Sequence, residues 1–255
     1  MAEAITDRHV VAALRPFVRA TGPLLDALRE SNPLGLRDRI AETDGDRGLL
    51  EKLHDQLAAV KAPGTAAWAA MTTEQRDDWW LNRVGRFVSL LTAVPGIGGA
   101  LADRLPIQDT LGAAGQGLLL CALAGEHGHT SHGDRVRLLA AVLFDRDVDP
   151  ALAEGGAEDE DERTAELTED VDRSRRAHGK VTLKAVGRTL WKLGRMLWSL
   201  GDELGKRPQG RVVHRVLGML PVVGVLGDYL GERSALRRVR REALAWFAAN
   251  PPPAR

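Results

Sequence analysis

Leu183, Leu190, Leu197 and Leu204 recur every seven residues, and Val186, Leu193 and Leu200 each stand three positions later. An average spacing of 3.5 residues belongs to a helix with one continuous apolar seam, whereas the period of two in a strand would scatter these residues over both faces. Residues 181–205 are therefore expected to form a helix that buries its seam. Gly187, Gly194 and Gly201 make a third seven-residue series beside it. Glycine inside a helix costs up to about 1 kcal/mol relative to alanine, so three in register point to another backbone approaching closely. Lys184, Arg188, Lys192 and Arg195 take the opposite face, with Trp191 and Trp198 among them.

The rest of the chain is read in the same way. Isoleucine is scarce (Ile5, Ile40, Ile97, Ile107) while Ala, Leu, Arg and Glu abound, and unbranched side chains lose little rotamer freedom in a helix. Residues 1–70 read as an N-terminal region of short helices broken at Pro16, Gly22-Pro23, Asn32-Pro33, Asp44-Gly45 and Pro63-Gly64. Leu49, Leu50, Leu53, Leu57 and Val60 form an apolar stripe within it. In residues 71–150, Thr72-Thr73-Glu74-Gln75 holds a capping box that starts a helix running through Trp79, Trp80 and Leu91 to Val94. A second helix follows Pro106 and closes near His127-Gly128, and a third starts at Thr130 or Ser131 and carries Val136 to Phe144. The fold class that results is all-α: a multi-helix bundle with two Pro/Gly-broken apolar helical hairpins. The 255 residues suffice to bury a real core.

Charge is balanced overall but not along the chain. Residues 1–172 hold 17 Lys/Arg against 30 Asp/Glu, and residues 173–255 hold 18 against 5. The densest acid lies at 154–172, ten carboxylates with only Arg163 against them. Like-charge crowding beside Gly155-Gly156 with few apolar residues marks 151–180 as an acidic mobile linker. The basic region 181–250 is expected to pack on 71–150. It includes the arginine cluster Arg233, Arg237, Arg238, Arg240 and Arg241, and nucleic acid, anionic lipid or the chain's own acidic half all suit such charge.

No catalytic constellation emerges. Gly96-Ile97-Gly98-Gly99 follows a helix and lacks dinucleotide-loop spacing, and Gly201 to Lys206 is one residue short of a phosphate loop. Asp145, Asp147 and Asp149 alternate as in a calcium loop, but Pro150 stands where the turn glycine belongs. His127, His129 and His132, beside Glu126, are the metal candidates, and a solvated turn is the favoured reading of them. Asp77-Asp78 read as first-turn acids complementing the helix dipole rather than as a paired-carboxylate site. Cys121, the single cysteine, lies in an apolar run and reads as a buried structural thiol. No cofactor is expected. The polar start, Met1 to His9, does not resemble a signal peptide, and a cytoplasmic location peripheral to the inner face of the membrane is expected.

Two stretches are alike. Leu91 to Asp103 contains Pro95, Gly96, Gly98, Gly99 and Asp103, and Gly218 to Asp228 contains Pro221, Gly224 and Asp228. Each has an apolar helix end, a proline, a glycine three residues on and an aspartate seven or eight after the proline. Pro95-Gly96-Ile97-Gly98-Gly99 with Ala102-Asp103, then Ala122 to Gly128, then Asp134-Arg135 leading Leu138 to Leu143, resembles the EcsC family in residues and order. Leu220-Pro221-Val222-Val223-Gly224 and the arginine helix ending at Phe247 are similar to its C-terminal portion. His127 stands where that family tends to have an aromatic. The resemblance spans about residues 75–247 and implies an all-helical bacterial protein linked to membrane transport systems, with no agreed activity.

Function is accordingly expected to be non-enzymatic and membrane-peripheral. Trp191, Trp198, Arg188, Lys192 and Arg195, with Arg233, Arg237, Arg238, Arg240 and Arg241, form the expected contact surface for an anionic membrane or an apolar protein partner. The acidic stretch is expected to compete for the same basic side chains. A soluble scaffold that docks a protein partner is the alternative, ahead of a hydrolase. Nucleic acid is not expected as a partner, because the basic region lacks interleaved stacking aromatics.

Overall fold

The computed structural model of the chain describes residues 6–29, 63, 66–92, 107–156, 159–179, 181–205 and 228–252. Among these there are nine helices and no strand: α1 (Asp7–Arg29), α2 (Ala66–Ala69), α3 (Thr73–Thr92), α4 (Ile107–Glu126), α5 (His132–Phe144), α6 (Pro150–Glu154), α7 (Glu160–His178), α8 (Leu183–Gly205) and α9 (Asp228–Ala249). The fold is the expected all-α multi-helix bundle. Pro95, Gly96, Gly98, Gly99, Asp103, Pro221 and Gly224 lie outside the described residues, as does the stripe Leu49 to Val60. Asp228 is the first residue of α9.

Helix α4 is the centre, with α1, α3, α5, α8 and α9 all packed on it. Its sequence explains the position. Every residue from Leu118 to Ala124 is buried, and a helix apolar on all sides is stable only when other elements surround it. Small residues set how close those elements come. A Cβ on Gly194 of α8 would lie within 2.8 Å of the Thr110 carbonyl carbon, and closer still to its oxygen. The close backbone approach inferred from the glycine series is therefore real at Gly194. The seam beside it is buried at Val186, Leu190, Leu193, Leu197 and Leu200.

Three local expectations are corrected or sharpened. Helix α1 runs unbroken through Pro16 and Pro23. A mid-helix proline costs about 3 kcal/mol, but α1 buries Val10, Val11, Leu14, Phe17, Val18, Leu24, Leu25 and Leu28, each worth about 1.5–3 kcal/mol. Gly22, lacking a Cβ, also removes the clash that a proline makes with the residue before it. The capping box forms as expected: Thr72 N donates to Gln75 Oε1 at 3.1 Å, and Gln75 N to Thr72 Oγ1 at 3.2 Å. Ser131 caps α5, accepting from Asp134 N at 2.9 Å, and Asp145 ends α5 in a left-handed conformation (φ 54°). Asp149 accepts from Leu152 N and caps α6. Those aspartates are helix caps.

The acidic stretch is not a linker. Residues 150–154 and 160–178 are helical, and α7 packs on α1 and α8. The like charges are separated by cations that the sequence does not place beside them. Glu160, 5% exposed, pairs with Arg19 Nε at 2.8 Å, and Asp161 with Arg19 Nη1 at 2.6 Å. Asp170 pairs with Lys192 at 2.8 Å. Within α7, Arg163 pairs with Asp159 and Arg173 with Glu169. Cations drawn from α1 and α8 supply the neutralisation that the segment lacks on its own. Val171 adds the one fully buried apolar side chain, with Leu167 partly buried beside it.

Candidate functional site

The basic surface is carried by two separate helices. On α8, Lys184, Arg188 and Arg195 are exposed along one line, with Ser199 continuing it. Lys192 and Trp198 flank that line half-buried. Trp191 is only 5% exposed and belongs to the core, so its expected place on the contact surface is corrected. Helical spacing sets it beside Arg188 and Arg195, but the rest of the bundle closes over it, and burying so large a ring outweighs its polar N–H. On α9, Arg237 and Arg241 are exposed, Arg238 is half-buried and Arg240 pairs with Asp78 of α3. The side chain of Arg233 lies outside the described residues. Both helices pack on α4, and they are not among the helix pairs that pack extensively on each other.

Acid from α7 meets this surface on α8, as Asp78 of α3 meets Arg240 on α9. Lys192 Nζ lies 2.8 Å from Asp170 Oδ2 and 3.9 Å from Glu169 Oε2, and donates to the Glu166 carbonyl at 3.0 Å. Arg188 Nη1 lies 3.6 Å from Asp170 Oδ1, and Arg173 Nη1 lies 3.9 Å from the same oxygen. Three cations thus surround one carboxylate, which is 11% exposed. The acidic stretch, expected to compete for the basic face, pairs with Arg188 and Lys192 on it.

A second concentration of polar groups lies where α3 begins and α4 and α9 end. Asp77, 1% exposed, binds His127 Nε2 through Oδ2 at 3.0 Å. The His127 ring stacks on Phe247 with centroids 4.4 Å apart. His129, 2% exposed, stacks on the same ring at 5.2 Å and meets Trp246 edge-on. Its Nδ1 is 3.5 Å from Asp134 Oδ2. Trp80 Nε1 donates to Glu126 Oε1 at 3.0 Å, and Arg76 approaches the other oxygen at 3.6 Å. The reading of His127 and His129 as solvated turn residues is corrected, since they are part-buried and buried. Asp77, read as a first-turn acid for the helix dipole, is buried against His127. The aromatic end of α9, over a hundred residues later in the chain, stacks on both histidines. His132 is exposed, with its pKa lowered from about 6.5, chiefly by desolvation and then by Arg135 and Arg19. The three histidines do not converge, and no group of three or more metal-ligating side chains exists among the described residues.

Cys121 is 1% exposed, and burial pushes its thiol up to about 11. A thiol kept protonated and covered is inert, since the thiolate is the nucleophile. In the native protein Cys121 is expected to react with an aromatic disulfide reagent at least about a hundred-fold more slowly than in denaturant, given a thiol pKa two units up and buried. Comparable rates in both states would contradict its place in the core.

The architecture defines the class as an all-α multi-helix protein with a charged amphipathic helix. No helix among the described residues is long and apolar enough to cross a membrane. No family model matches the chain, and comparison with curated proteins and with solved structures gives no significant match. The EcsC-like resemblance accordingly rests on the residues quoted for it.

Proposed function

We propose that the protein is a non-enzymatic, membrane-peripheral helical protein that docks on anionic lipid through α8. The observation that supports this most is the line Lys184, Arg188 and Arg195, exposed on a helix whose opposite face is locked in the core. The half-buried Trp198 at its edge suits headgroup depth. A basic residue at an anionic surface contributes about 1 kcal/mol, so the three on this line contribute about 3 kcal/mol together without insertion. Arg237 and Arg241 supply further charge on α9. A role beside a membrane transport or envelope system, as the EcsC resemblance implies, belongs to the same reading.

Sedimentation with phosphatidylserine-containing vesicles tests it. Binding is expected at low salt, and is expected to fall as the Debye length contracts from about 10 Å at 0.1 M to about 3 Å at 1 M. The double variant Lys184→Glu, Arg195→Glu is expected to lose most of it. Absence of binding to any vesicle at low salt, or unchanged binding by the double variant, would leave a scaffold for a protein partner as the better reading.

A further inference from the structure

We propose that α7 is a built-in latch on the basic face of α8, in which the Asp170 carboxylate occupies the place that a lipid-headgroup phosphate takes when the protein docks. The inference rests on the proposed lipid-docking role and adds its regulation. Arg188 and Lys192 of α8 approach Asp170 within 3.6 and 2.8 Å. This is the arrangement of an anion site, filled from within the chain. Carboxylate and phosphate oxygens make the same charge-assisted contacts with guanidinium and ammonium groups. Exchanging one for the other therefore leaves neither Arg188 nor Lys192 bare.

The attachment of α7 differs in kind from that of its neighbours. Helix α1 buries thirteen residues, most of them apolar, whereas α7 buries Glu160, Thr168, Val171 and Ser174. One apolar side chain of four means that charge carries a large share of the contact. The cations keep contact with water, Arg188 being 44% and Lys192 33% exposed, so a competing anion can reach them, whereas apolar packing has no competitor in solution. The helix is also tied at both ends. Arg19 holds Glu160 and Asp161 at its start. At its end Gly179, with φ +65°, makes the turn into α8, and Thr182 N donates to Ser174 Oγ at 3.0 Å. A helix tethered at both ends returns when the competing anion leaves. Release of Asp170 also frees Lys192 from the Glu166 carbonyl and adds a fourth cation to the line Lys184, Arg188 and Arg195.

The experiment compares wild type, Asp170→Asn, and the double variant Lys184→Glu, Arg195→Glu on phosphatidylserine-containing vesicles. Asp170→Asn removes the competing charge and keeps the side-chain shape. It is expected to bind about five-fold more tightly than wild type, the equivalent of one added cation at an anionic surface. Hydrogen exchange supplies a readout that needs no variant. The amides of 160–178 in wild type are expected to lose protection on anionic vesicles, but not on phosphatidylcholine vesicles or with inorganic phosphate at millimolar concentration. Equal vesicle affinity of Asp170→Asn and wild type, or unchanged protection of 160–178 on anionic vesicles, would overturn the latch while leaving lipid docking standing. Loss of protection with inorganic phosphate alone would overturn the lipid source and mark a free-phosphate site. No vesicle binding by wild type or Asp170→Asn would overturn the docking role, and the latch with it.

Discussion

Replacing Gly194 by leucine is expected to lower the melting temperature by roughly 5–10 °C, while Ser199→Leu five residues on leaves it within about 2 °C. At Gly194 a Cβ would already fall within 2.8 Å of the Thr110 carbonyl carbon. What stands there is backbone, which cannot swing aside as a side chain does, so α8 and α4 must separate. Separation loosens the seam Leu190, Leu193 and Leu197, all buried on a helix that packs on α4. Overpacking of this kind typically costs about 1–3 kcal/mol, and more where the obstacle is rigid. Ser199 is exposed and its hydroxyl donates only to the Met196 carbonyl of its own helix, so a leucine there meets solvent. Thermal melts followed by far-ultraviolet circular dichroism distinguish the two. Equal melting of the variants would show that α8 and α4 are not in backbone contact.

Truncating Phe247 to alanine is expected to remove about 3–5 kcal/mol, the usual range for a buried aromatic, and with it roughly 10 °C or more of melting temperature. Phe247 is 7% exposed and carries both imidazole stacks, His127 at 4.4 Å and His129 at 5.2 Å. Without the ring, the Asp77–His127 pair and the buried His129 gain access to water, and the end of α9 loses its hold on α3 and α4. Trp246 still ties that end to α5 through Arg137, whose guanidinium lies 5.6 Å from the indole and which donates to Asn250 at 3.1 Å. Phe247→Leu fills much of the volume without the aromatic face, and is expected to recover about half of the loss while the imidazole proton resonances of His127 and His129 still shift. A Phe247→Ala variant melting within 2 °C of wild type would show that this end of the bundle is not a structural lock.

Much of the architecture is legible locally because it depends on near neighbours in the chain. The seven-residue leucine and glycine series place α8, its buried seam and its close approach at Gly194. The Thr72–Gln75 box starts α3 where expected, since both partners of a cap lie within one turn. The line Lys184, Arg188 and Arg195 is equally visible, because helical spacing alone puts those residues on one face. Proline punctuation misled in α1, where a buried apolar face outweighs two unfavourable backbone positions. The fate of charge was not legible at all. Ten carboxylates in 154–172 repel one another when considered alone, yet Arg19 from α1 and Lys192 and Arg188 from α8 turn 160–178 into a packed helix. The same holds for Trp191, whose place on the helix is set by spacing but whose burial is set by what closes over it, and for His127 and His129, covered by Phe247 from the far end of the chain. Sequence by itself determined the helices, their apolar faces and the glycine contact, because those follow from periods and neighbours within a few turns. Which charges are neutralised, and which aromatics and histidines are shut away from water, only the tertiary structure decided, because each depends on a partner brought from a distant part of the chain.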